Sequence, residues 1–401
     1  MDGQQVSNRD EIDPDRSLSY CRTASYAFVL VAYINRMLHK EPLASIFHTF
    51  FWAFILLFAC PLAGFFLVLS SPARLLYAVV NDRRRINACQ DDMELCVVVT
   101  GCDCGFGKDL AFELCRRGFV VFAGCRSLNE SGHQFEGANN IIPLQMDVTK
   151  HDEISQAART VAKWMSPVRS GSKKILHAIV NNAGKGETKL FDWYESTERI
   201  SSDVDVNFYG SVIVIQQFLP LLKKQYQTNK QWSTENGAHL IKSRIINVVS
   251  MAGLVNGTIG ASMYHASKHA LEGFAASLRV ELFPFGIDVI NINPSFHKTN
   301  IVSDLTARLR KSWENIPPSR RCDYSEEFCK RVASKLENNF STFLWEPNAA
   351  IDTILSAVEL KYPSCQYIVG SDAKTILLVA RWLPQEFLSR VIRNDVDLPS
   401  R

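Results

Sequence analysis

The sequence has no strong excess of either charge. Its 44 lysines and arginines nearly balance 41 aspartates and glutamates, so the formal net charge is +3. This balance gives no electrostatic support for nucleic acid as a partner, since such proteins concentrate basic charge. The 11 cysteines are an odd number, and none has Cys-x-x-Cys spacing. We therefore expect free thiols in a reducing compartment, and neither a disulfide framework nor a zinc site.

Charge is also missing from one long stretch: residues 43–70 contain no Asp, Glu, Lys or Arg. The run exceeds the roughly 20 residues that cross a bilayer. It is too long, and begins too far from Met1, for a cleaved signal peptide. We predict a transmembrane helix, with a buried core helix as the alternative. Residues 1–42 are a polar segment with a second, short apolar helix as an option, and 71–93 form a basic linker.

Beyond the linker, apolar runs alternate with helical stretches, and no internal repeat is found. The strand-like runs cover residues 95–100, 119–124, 141–146, 175–180, 244–250 and 287–292. Strands that are apolar on both faces and alternate with helices are typical of an α/β fold with a doubly wound, Rossmann-type parallel sheet. We predict one catalytic domain over 94–372. Residues 373–401 are predicted to form an amphipathic helix, packed on the domain or lying in the membrane interface.

Two polar or weakly patterned stretches interrupt this alternation. Residues 223–242 are interpreted as an enlarged surface loop between a helix and a strand. Residues 300–345 show little regular pattern, and we expect them to form a lid over the substrate.

The first predicted strand ends in a glycine-rich turn, TGCDCGFG, and a helix follows at once. Gly101, Gly105 and Gly107 leave room for the backbone to approach a pyrophosphate, and the helix N-terminus offers it unpaired N–H groups. A glycine pattern alone is weak evidence, but the strand–turn–helix context strengthens it. The turn therefore predicts a dinucleotide site, with a tight turn that binds nothing as the alternative.

Polar residues also end three later strands, and a tyrosine–lysine pair follows them. Asp147 ends the third strand, NNAG (181–184) the fourth and Ser250 the fifth. Tyr264 and Lys268 are four residues apart on a predicted helix, so they share one face. Each residue has an ordinary alternative as a cap, a turn or a snorkelling lysine. Together, at the carboxyl edge of a parallel sheet, they indicate a ligand site.

TGCDCGFG, NNAG, VVSMAG and YHASK resemble the short-chain dehydrogenase/reductase family over roughly residues 94–300. TGCD, VFAGC and YIVGSDAK are closest to a membrane-associated branch. That branch holds retinol dehydrogenases, type 2 17-beta- and 11-beta-hydroxysteroid dehydrogenases and 3-hydroxybutyrate dehydrogenase. The resemblance implies four catalytic residues, Asn207, Ser250, Tyr264 and Lys268. The expected cofactor-binding residues are Thr100, Gly101, Asp103, Gly105, Phe106, Gly107, Arg126, Asp147, Val148, Asn182, Ala183, Gly184, Tyr264, Lys268, Pro294 and Thr299.

The resemblance also implies a role for each catalytic residue. Tyr264 would be the general acid and base, although the usual tyrosine pKa near 10 is too high for easy proton transfer. Lys268 and the positive nicotinamide would lower that pKa. Ser250 would hydrogen-bond the reacting oxygen, and Asn207 would hold a water in the proton relay. Ser295 departs from the family's Pro-Gly-x-x-x-Thr motif, which puts the geometry of that loop in question.

Two residues disagree about the cofactor. Arg126 follows the second strand, where the adenine ribose lies, and an arginine suits the 2′-phosphate of NADP. Its alternative is a solvated charge at a strand end. Asp103 in the glycine-rich turn would repel that phosphate, but solvent and salt screen such a repulsion. NADP(H) is therefore narrowly favoured over NAD(H).

These expectations combine into a membrane-anchored alcohol dehydrogenase or ketone reductase that acts on a lipophilic steroid or retinoid. The alternatives are a 3-hydroxybutyrate-type dehydrogenase, and an idle dinucleotide-binding scaffold or sensor. Basic residues after the apolar run favour a catalytic domain in the cytosol. We expect a single-pass protein of the endoplasmic reticulum. A mitochondrial membrane is the alternative location, and assembly as a homodimer stays open.

Overall fold

The computed structural model describes residues 85–86, 89–90, 93–166, 173–194, 197–236, 240–255, 259–299, 305–321, 323–382 and 386. The chain divides after Arg84, and all of these residues belong to the second unit, Arg85–Arg401. The predicted segments 1–42 and 43–70 lie outside the described residues, as do most of 71–93 and most of the chain after Trp382. Among the described residues, no helix has the length and hydropathy to cross a bilayer.

Eight strands of the described chain form one sheet, in the order β4-β3-β2-β5-β6-β7-β8, with β1 paired to β2. The bounds are Cys89–Gln90 (β1), Met93–Thr100 (β2), Val120–Cys125 (β3), Ile141–Gln145 (β4), Lys173–Asn181 (β5), Ser243–Val248 (β6), Ile287–Pro294 (β7) and Gln366–Val369 (β8). All pairings are parallel except that of β1. The strand order reverses between β2 and β5, which is where such sheets bind ligands.

Helices connect the strands and cover both faces of the sheet. Their bounds are Gly105–Arg116 (α1), Leu128–Ser131 (α2), His151–Trp164 (α3), Thr197–Val204 (α4), Ser211–Asn236 (α5), Ser262–Leu282 (α6), Leu305–Glu314 (α7), Pro318–Arg321 (α8), Glu326–Phe343 (α9), Asn348–Glu359 (α10) and Ser371–Trp382 (α11). A π-helical stretch, Asp205–Gly210, joins α4 to α5.

The two faces of the sheet form separate apolar clusters, because successive strand side chains point to opposite faces. In β2, Val97 and Val99 pack under α1 and α10, whereas Cys96 and Val98 pack under α3, α5 and α6. All four side chains are fully buried. Burial on both faces explains why these strands are uniformly apolar, and the predicted doubly wound α/β fold is confirmed.

The interpretation of residues 223–242 as a loop was wrong. Helix α5 continues to Asn236. Two of its polar side chains are buried: Gln225 exchanges hydrogen bonds with the backbone N–H and C=O of Leu176, at 2.7 and 3.0 Å, and Asn229 Nδ2 donates to Ile241 O. Polar residues on this helix therefore tie it to neighbouring backbone, whereas polarity in the sequence suggested exposure.

The weakly patterned stretch 300–345 is largely helical in its described part. Helices α7, α8 and α9 lie there. Leu309, Phe328 and Leu336 join the fully buried Trp193 in a third apolar cluster, separate from the two under the sheet. At the other end of the domain, the short strand β1 falls within the range predicted as linker.

Candidate active site

A cavity of about 390 Å³ opens at the carboxyl edge of the sheet, where β2 and β5 end. Most of the predicted site residues line it: Gly101, Asp103, Gly105, Phe106, Arg126, Asp147, Val148, Asn182, Ala183, Gly184, Ser250, Tyr264, Lys268, Pro294 and Thr299. Three predicted residues, Thr100, Gly107 and Asn207, do not line the cavity. They lie behind its wall and hold that wall in place.

The glycine-rich turn is shaped by backbone that only glycine adopts easily. Gly101 and Gly105 have φ values of +68° and +60°, in the left-handed region. A Cβ on Gly107 would lie 2.3 Å from the carbonyl oxygen of Gly101. Thr100 Oγ1 accepts hydrogen bonds from the N–H groups of Asn182 and Ala183, at 3.0 and 2.9 Å. Thr100 thus joins the turn to NNAG, and the open start of α1 fits the pyrophosphate of a dinucleotide.

Asp103 holds the loop that carries Arg126. One carboxylate oxygen accepts from Arg126 N at 3.0 Å, and the other from Ser127 N at 3.1 Å and Ser131 Oγ at 2.9 Å. Burial opposes ionisation, but these hydrogen bonds outweigh it and lower the pKa of Asp103. Asp103 and Arg126 therefore do not act only against each other in cofactor binding. The carboxylate of Asp103 could repel a 2′-phosphate, but it also positions the loop that carries Arg126.

Asp147 closes the turn after β4. Its Oδ1 accepts from Thr149 N at 2.9 Å and Thr149 Oγ1 at 2.7 Å, an arrangement typical of an aspartate-stabilised turn. Its own N–H donates to Glu153 at 2.8 Å. Asp147 does not cap the helix that follows, because Lys150 is its N-cap residue and no side chain caps it. The helix-cap alternative was therefore wrong, and the adenine contact stays a prediction for a residue that lines the cavity.

Tyr264 and Lys268 lie on one face of α6. Lys268 Nζ is 5.7 Å from the centre of the Tyr264 ring and donates to Val248 O at 3.2 Å. Burial lowers the pKa of Lys268 to about 8, against an opposing effect of Asp203. Burial raises the pKa of Tyr264, a hydrogen bond with Ser250 opposes this, and Asp203 raises it further. The expected lowering of the Tyr264 pKa is therefore not produced by the protein groups alone.

Asn207 is buried at 1% exposure within the π-helical stretch. Its Oδ1 accepts from Lys185 N and its Nδ2 donates to Lys185 O, both at 2.8 Å. Nδ2 also donates to Ser267 Oγ at 2.9 Å. The side chain thus fastens the segment after NNAG to α6. Its predicted part in a water relay stays a prediction.

The loop that departs from the family motif is held without strain. No described residue other than glycine has φ in the left-handed region, so Ser295 occupies a conformation open to any side chain. Its N–H donates to Val369 O at 2.9 Å, and its hydroxyl donates to Asp372. Asp372 also accepts from Trp345 Nε1 at 2.9 Å. The serine thus ties the loop after β7 to the start of α11.

Comparison with known proteins fits this arrangement. The family model described as short chain dehydrogenase matches residues 95–310, more than half of the chain. This chain belongs to that family. The nicotinamide-dependent oxidoreductase predicted from the sequence motifs is thereby confirmed.

The relatives of this dehydrogenase fall within the predicted branch. It is 29% identical to mouse retinol dehydrogenase 5 over 79% of this chain and 93% of the relative. It is 27% identical to mouse mitochondrial D-beta-hydroxybutyrate dehydrogenase over 71% and 80%. A Burkholderia cenocepacia short chain dehydrogenase solved with NADP matches with a TM-score of 0.52 and 20% identity, covering 74% of this chain and 96% of that one. The last likeness shows the fold alone.

Sequence reasoning missed a charged cluster beside the predicted catalytic residues of this dehydrogenase. Lys185 Nζ lies 3.1 Å from Glu187 Oε1 and 3.9 Å from Asp203 Oδ1, and it donates to Ser202 Oγ. Asp203 is 2% exposed, and burial raises its pKa. Lys185 and Glu187 directly follow NNAG, and Asp203 precedes Asn207 by one turn. Their closeness to NNAG and to Asn207 in the sequence was the signal that could have identified this cluster.

The cavity lining is more apolar than polar. Its apolar side chains include Val255, Ile259, Phe296, Leu305 and Leu336. Two of them, Ile259 and Leu336, also belong to or pack against the third apolar cluster. The helices over residues 305–343 therefore supply part of the cavity wall, as the lid prediction required.

Proposed function

We propose that this dehydrogenase interconverts an alcohol and its carbonyl on a lipophilic substrate, of the steroid or retinoid class, with NADP(H). The observation that carries the proposal is the largely apolar lining of the cavity that Tyr264, Lys268 and Ser250 also line. A hydrocarbon skeleton gains stability from leaving water for such a wall. The retinol dehydrogenase relative supports the same class.

Hydride transfer and proton transfer would be carried out by different groups. When bound, the nicotinamide supplies the carbon that takes or gives the hydride. Tyr264 would take the proton of the alcohol, or return it to the carbonyl oxygen. Ser250 would fix the reacting oxygen by a hydrogen bond. The ammonium of Lys268, one turn along the same helix face, would stabilise the phenolate that Tyr264 forms.

A 3-hydroxybutyrate-type activity is the main alternative, and one relative carries that name. A small hydroxy acid would need a cation for its carboxylate. The lysines and arginines that line the cavity in the described part of the chain are Arg126, Lys185 and Lys268. Arg126 is assigned to the cofactor and Lys268 to the proton transfer, and the ammonium of Lys185 already contacts Glu187, Ser202 and Asp203. This pairing favours the lipophilic class.

A substrate panel tests the choice. The full-length protein in detergent or lipid vesicles would receive steroid alcohols, retinoid alcohols and 3-hydroxybutyrate, each with NADP⁺ or NAD⁺, and the formation of reduced cofactor would be followed by its absorbance. We expect turnover on a steroid or retinoid alcohol. Turnover on the hydroxy acid alone would overturn the proposal.

The side chain of Arg126 should determine whether the enzyme binds NADP(H) or NAD(H) more tightly. Its side chain is exposed at the cavity rim, and a guanidinium–phosphate pair is worth about 1.5–3 kcal/mol. Arg126→Leu should therefore shift the ratio of affinities toward NAD(H) by about tenfold or more, since about 1.4 kcal/mol is a factor of ten. Titration of each reduced cofactor by fluorescence measures this ratio.

Arg116→Leu is the matched control for the cofactor test. Arg116 pairs with Glu113 on the exposed side of α1 and does not line the cavity. Its loss should leave the ratio unchanged. An unchanged ratio in the Arg126 variant would show that this arginine does not reach the 2′-phosphate.

We also propose that residues 43–70 anchor the enzyme in the endoplasmic reticulum membrane, with the catalytic domain in the cytosol. The absence of charge over this stretch supports an anchor. Deleting residues 1–80 should move the protein from the carbonate-washed membrane pellet to the supernatant, unless the C-terminal residues also bind the membrane. Release of the full-length protein by carbonate would contradict the anchor, and fractionation would distinguish a mitochondrial location.

A further inference from the structure

A buried carboxylate lies behind the catalytic pair. Asp203 is 2% exposed and sits near the end of α4, which packs against α6. Asn207 follows one turn later and bonds to Ser267 of α6 at 2.9 Å. A Cβ on Gly184 would lie 3.3 Å from Asn207 Oδ1 and 3.6 Å from Lys268 Nζ. The helix that carries Asp203 and the helix that carries Lys268 therefore converge on one short segment.

Asp203 has few hydrogen-bond donors for a buried acid. Its Oδ2 accepts from Glu187 N at 3.2 Å. Its Oδ1 accepts no hydrogen bond from the described residues and lies 3.9 Å from Lys185 Nζ. A buried charge with such sparse solvation is costly. Costly charges next to reactive groups are typical of active sites.

We propose that Asp203 is a positioning residue whose negative charge, partly offset by Lys185, sets the ionisation of Tyr264 and Lys268 and thereby the pH range of catalysis. The inference rests on the proposed function, because it assigns Asp203 to the same proton transfer.

The electrostatic effects on the pair agree with this geometry. Burial lowers the pKa of Lys268 to about 8, and Asp203 counteracts that fall. Burial raises the pKa of Tyr264, and Asp203 raises it further. A negative charge favours the ammonium and disfavours the phenolate, so both groups hold their protons to higher pH when Asp203 is ionised.

Other titratable groups lie on the segments that carry or adjoin Tyr264 and Lys268, and several of them are held by hydrogen bonds of their own. They are Lys185, Glu187, Tyr194, Asp205, His265, His269 and Glu272. Glu272 accepts from Asn291 and Asn293, and Asp205 accepts from Ser201 at 2.8 Å. His265 Nδ1 bonds to Val255 O at 2.9 Å. Asp203, by contrast, has a carboxylate oxygen that accepts no hydrogen bond from the described residues.

The test is the pH dependence of kcat and kcat/KM for alcohol oxidation. Asp203→Asn keeps the shape of the side chain but removes the charge. Both the acidic and the basic limb of its pH profile should move to lower pH. The expected shift is about half to one pH unit, the usual size of the pKa perturbations found in folded proteins. Lys185→Met removes the opposite charge, so its limbs should move to higher pH. Shifts of opposite sign are not expected from a loss of packing.

Asp205→Asn is the matched control, because it removes the charge of a carboxylate two residues away that is engaged by Ser201. Its limbs should coincide with those of the wild type. Wild-type limbs in Asp203→Asn, with unchanged melting temperature and cofactor affinity, would overturn the inference.

A second measurement does not depend on turnover. Protein labelled with ¹³C at tyrosine Cζ would be titrated by NMR, with the Tyr264 signal assigned from Tyr264→Phe. The midpoint should be lower in Asp203→Asn than in the wild type. A lower midpoint without turnover on any alcohol would preserve the electrostatic role and reject the proposed function. An equal midpoint would reject the role of Asp203.

Discussion

Tyr264→Phe should lower turnover by about 10²- to 10⁴-fold, the usual contribution of general acid–base catalysis. The change removes the proton that Tyr264 would exchange in the proposed reaction and keeps the ring that lines the cavity. Dinucleotide affinity should stay within about twofold, since a factor of two is well under 1 kcal/mol. Absorbance of the reduced cofactor measures turnover, and fluorescence titration measures binding in the same sample.

A second tyrosine gives the control for this experiment. Tyr362 is 49% exposed and does not line the cavity. Tyr362→Phe should therefore match the wild type in turnover and in binding. Wild-type turnover in Tyr264→Phe would show that another group moves the proton.

Gly107→Ala should have the second largest effect, on binding and on stability. The added Cβ would lie 2.3 Å from Gly101 O and 2.5 Å from Asn182 Nδ2, and the first of these belongs to the backbone. Forcing extra volume into such a site costs about 1–3 kcal/mol or more. The free energy of unfolding should fall by this amount, and displacement of Gly101 should weaken dinucleotide binding by at least about tenfold, equivalent to about 1.4 kcal/mol.

Gly273→Ala is the same substitution at a permissive position. Gly273 lies in α6, and an added Cβ there would meet no atom within 4 Å. Alanine in a helix interior is favoured over glycine by about 0.5–1 kcal/mol. This variant should therefore bind cofactor normally and melt at a slightly higher temperature. Normal binding by Gly107→Ala would show that the turn does not contact the dinucleotide.

The sheet could be predicted from the sequence because its strands are buried on both faces. Six predicted runs overlap β2 to β7, with boundaries that differ by only a few residues. The last strand, Gln366–Val369, is short and only its final residue is fully buried, so its periodicity was weak. Residues 223–236 were wrongly predicted to be a surface loop because they are polar. Polar side chains such as Gln225 are in fact buried against neighbouring backbone, a contact that one sequence does not reveal.

The candidate site was predictable where residues act through the backbone or through fixed spacing. Gly101 and Gly105 line the cavity where the turn predicted a dinucleotide site, and Tyr264 and Lys268 share a helix face as their spacing indicated. The cluster of Lys185, Glu187 and Asp203 was not predicted, although its residues lie close to NNAG and Asn207 in the sequence. It forms only because the segment after β5 folds back against α4, and its contacts join residues that are well separated in the sequence.

Transfer of a labelled hydride tests the central claim most directly. The wild-type protein would be incubated with oxidised cofactor and with steroid or retinoid alcohols deuterated at the carbinol carbon. The mass of the recovered dinucleotide would then be measured by mass spectrometry. We predict that the reduced cofactor gains one deuterium for each carbonyl formed, and that Tyr264→Phe reduces this gain in step with turnover. A protein that binds the dinucleotide but transfers no deuterium from any alcohol would contradict the account and favour a scaffold or sensor.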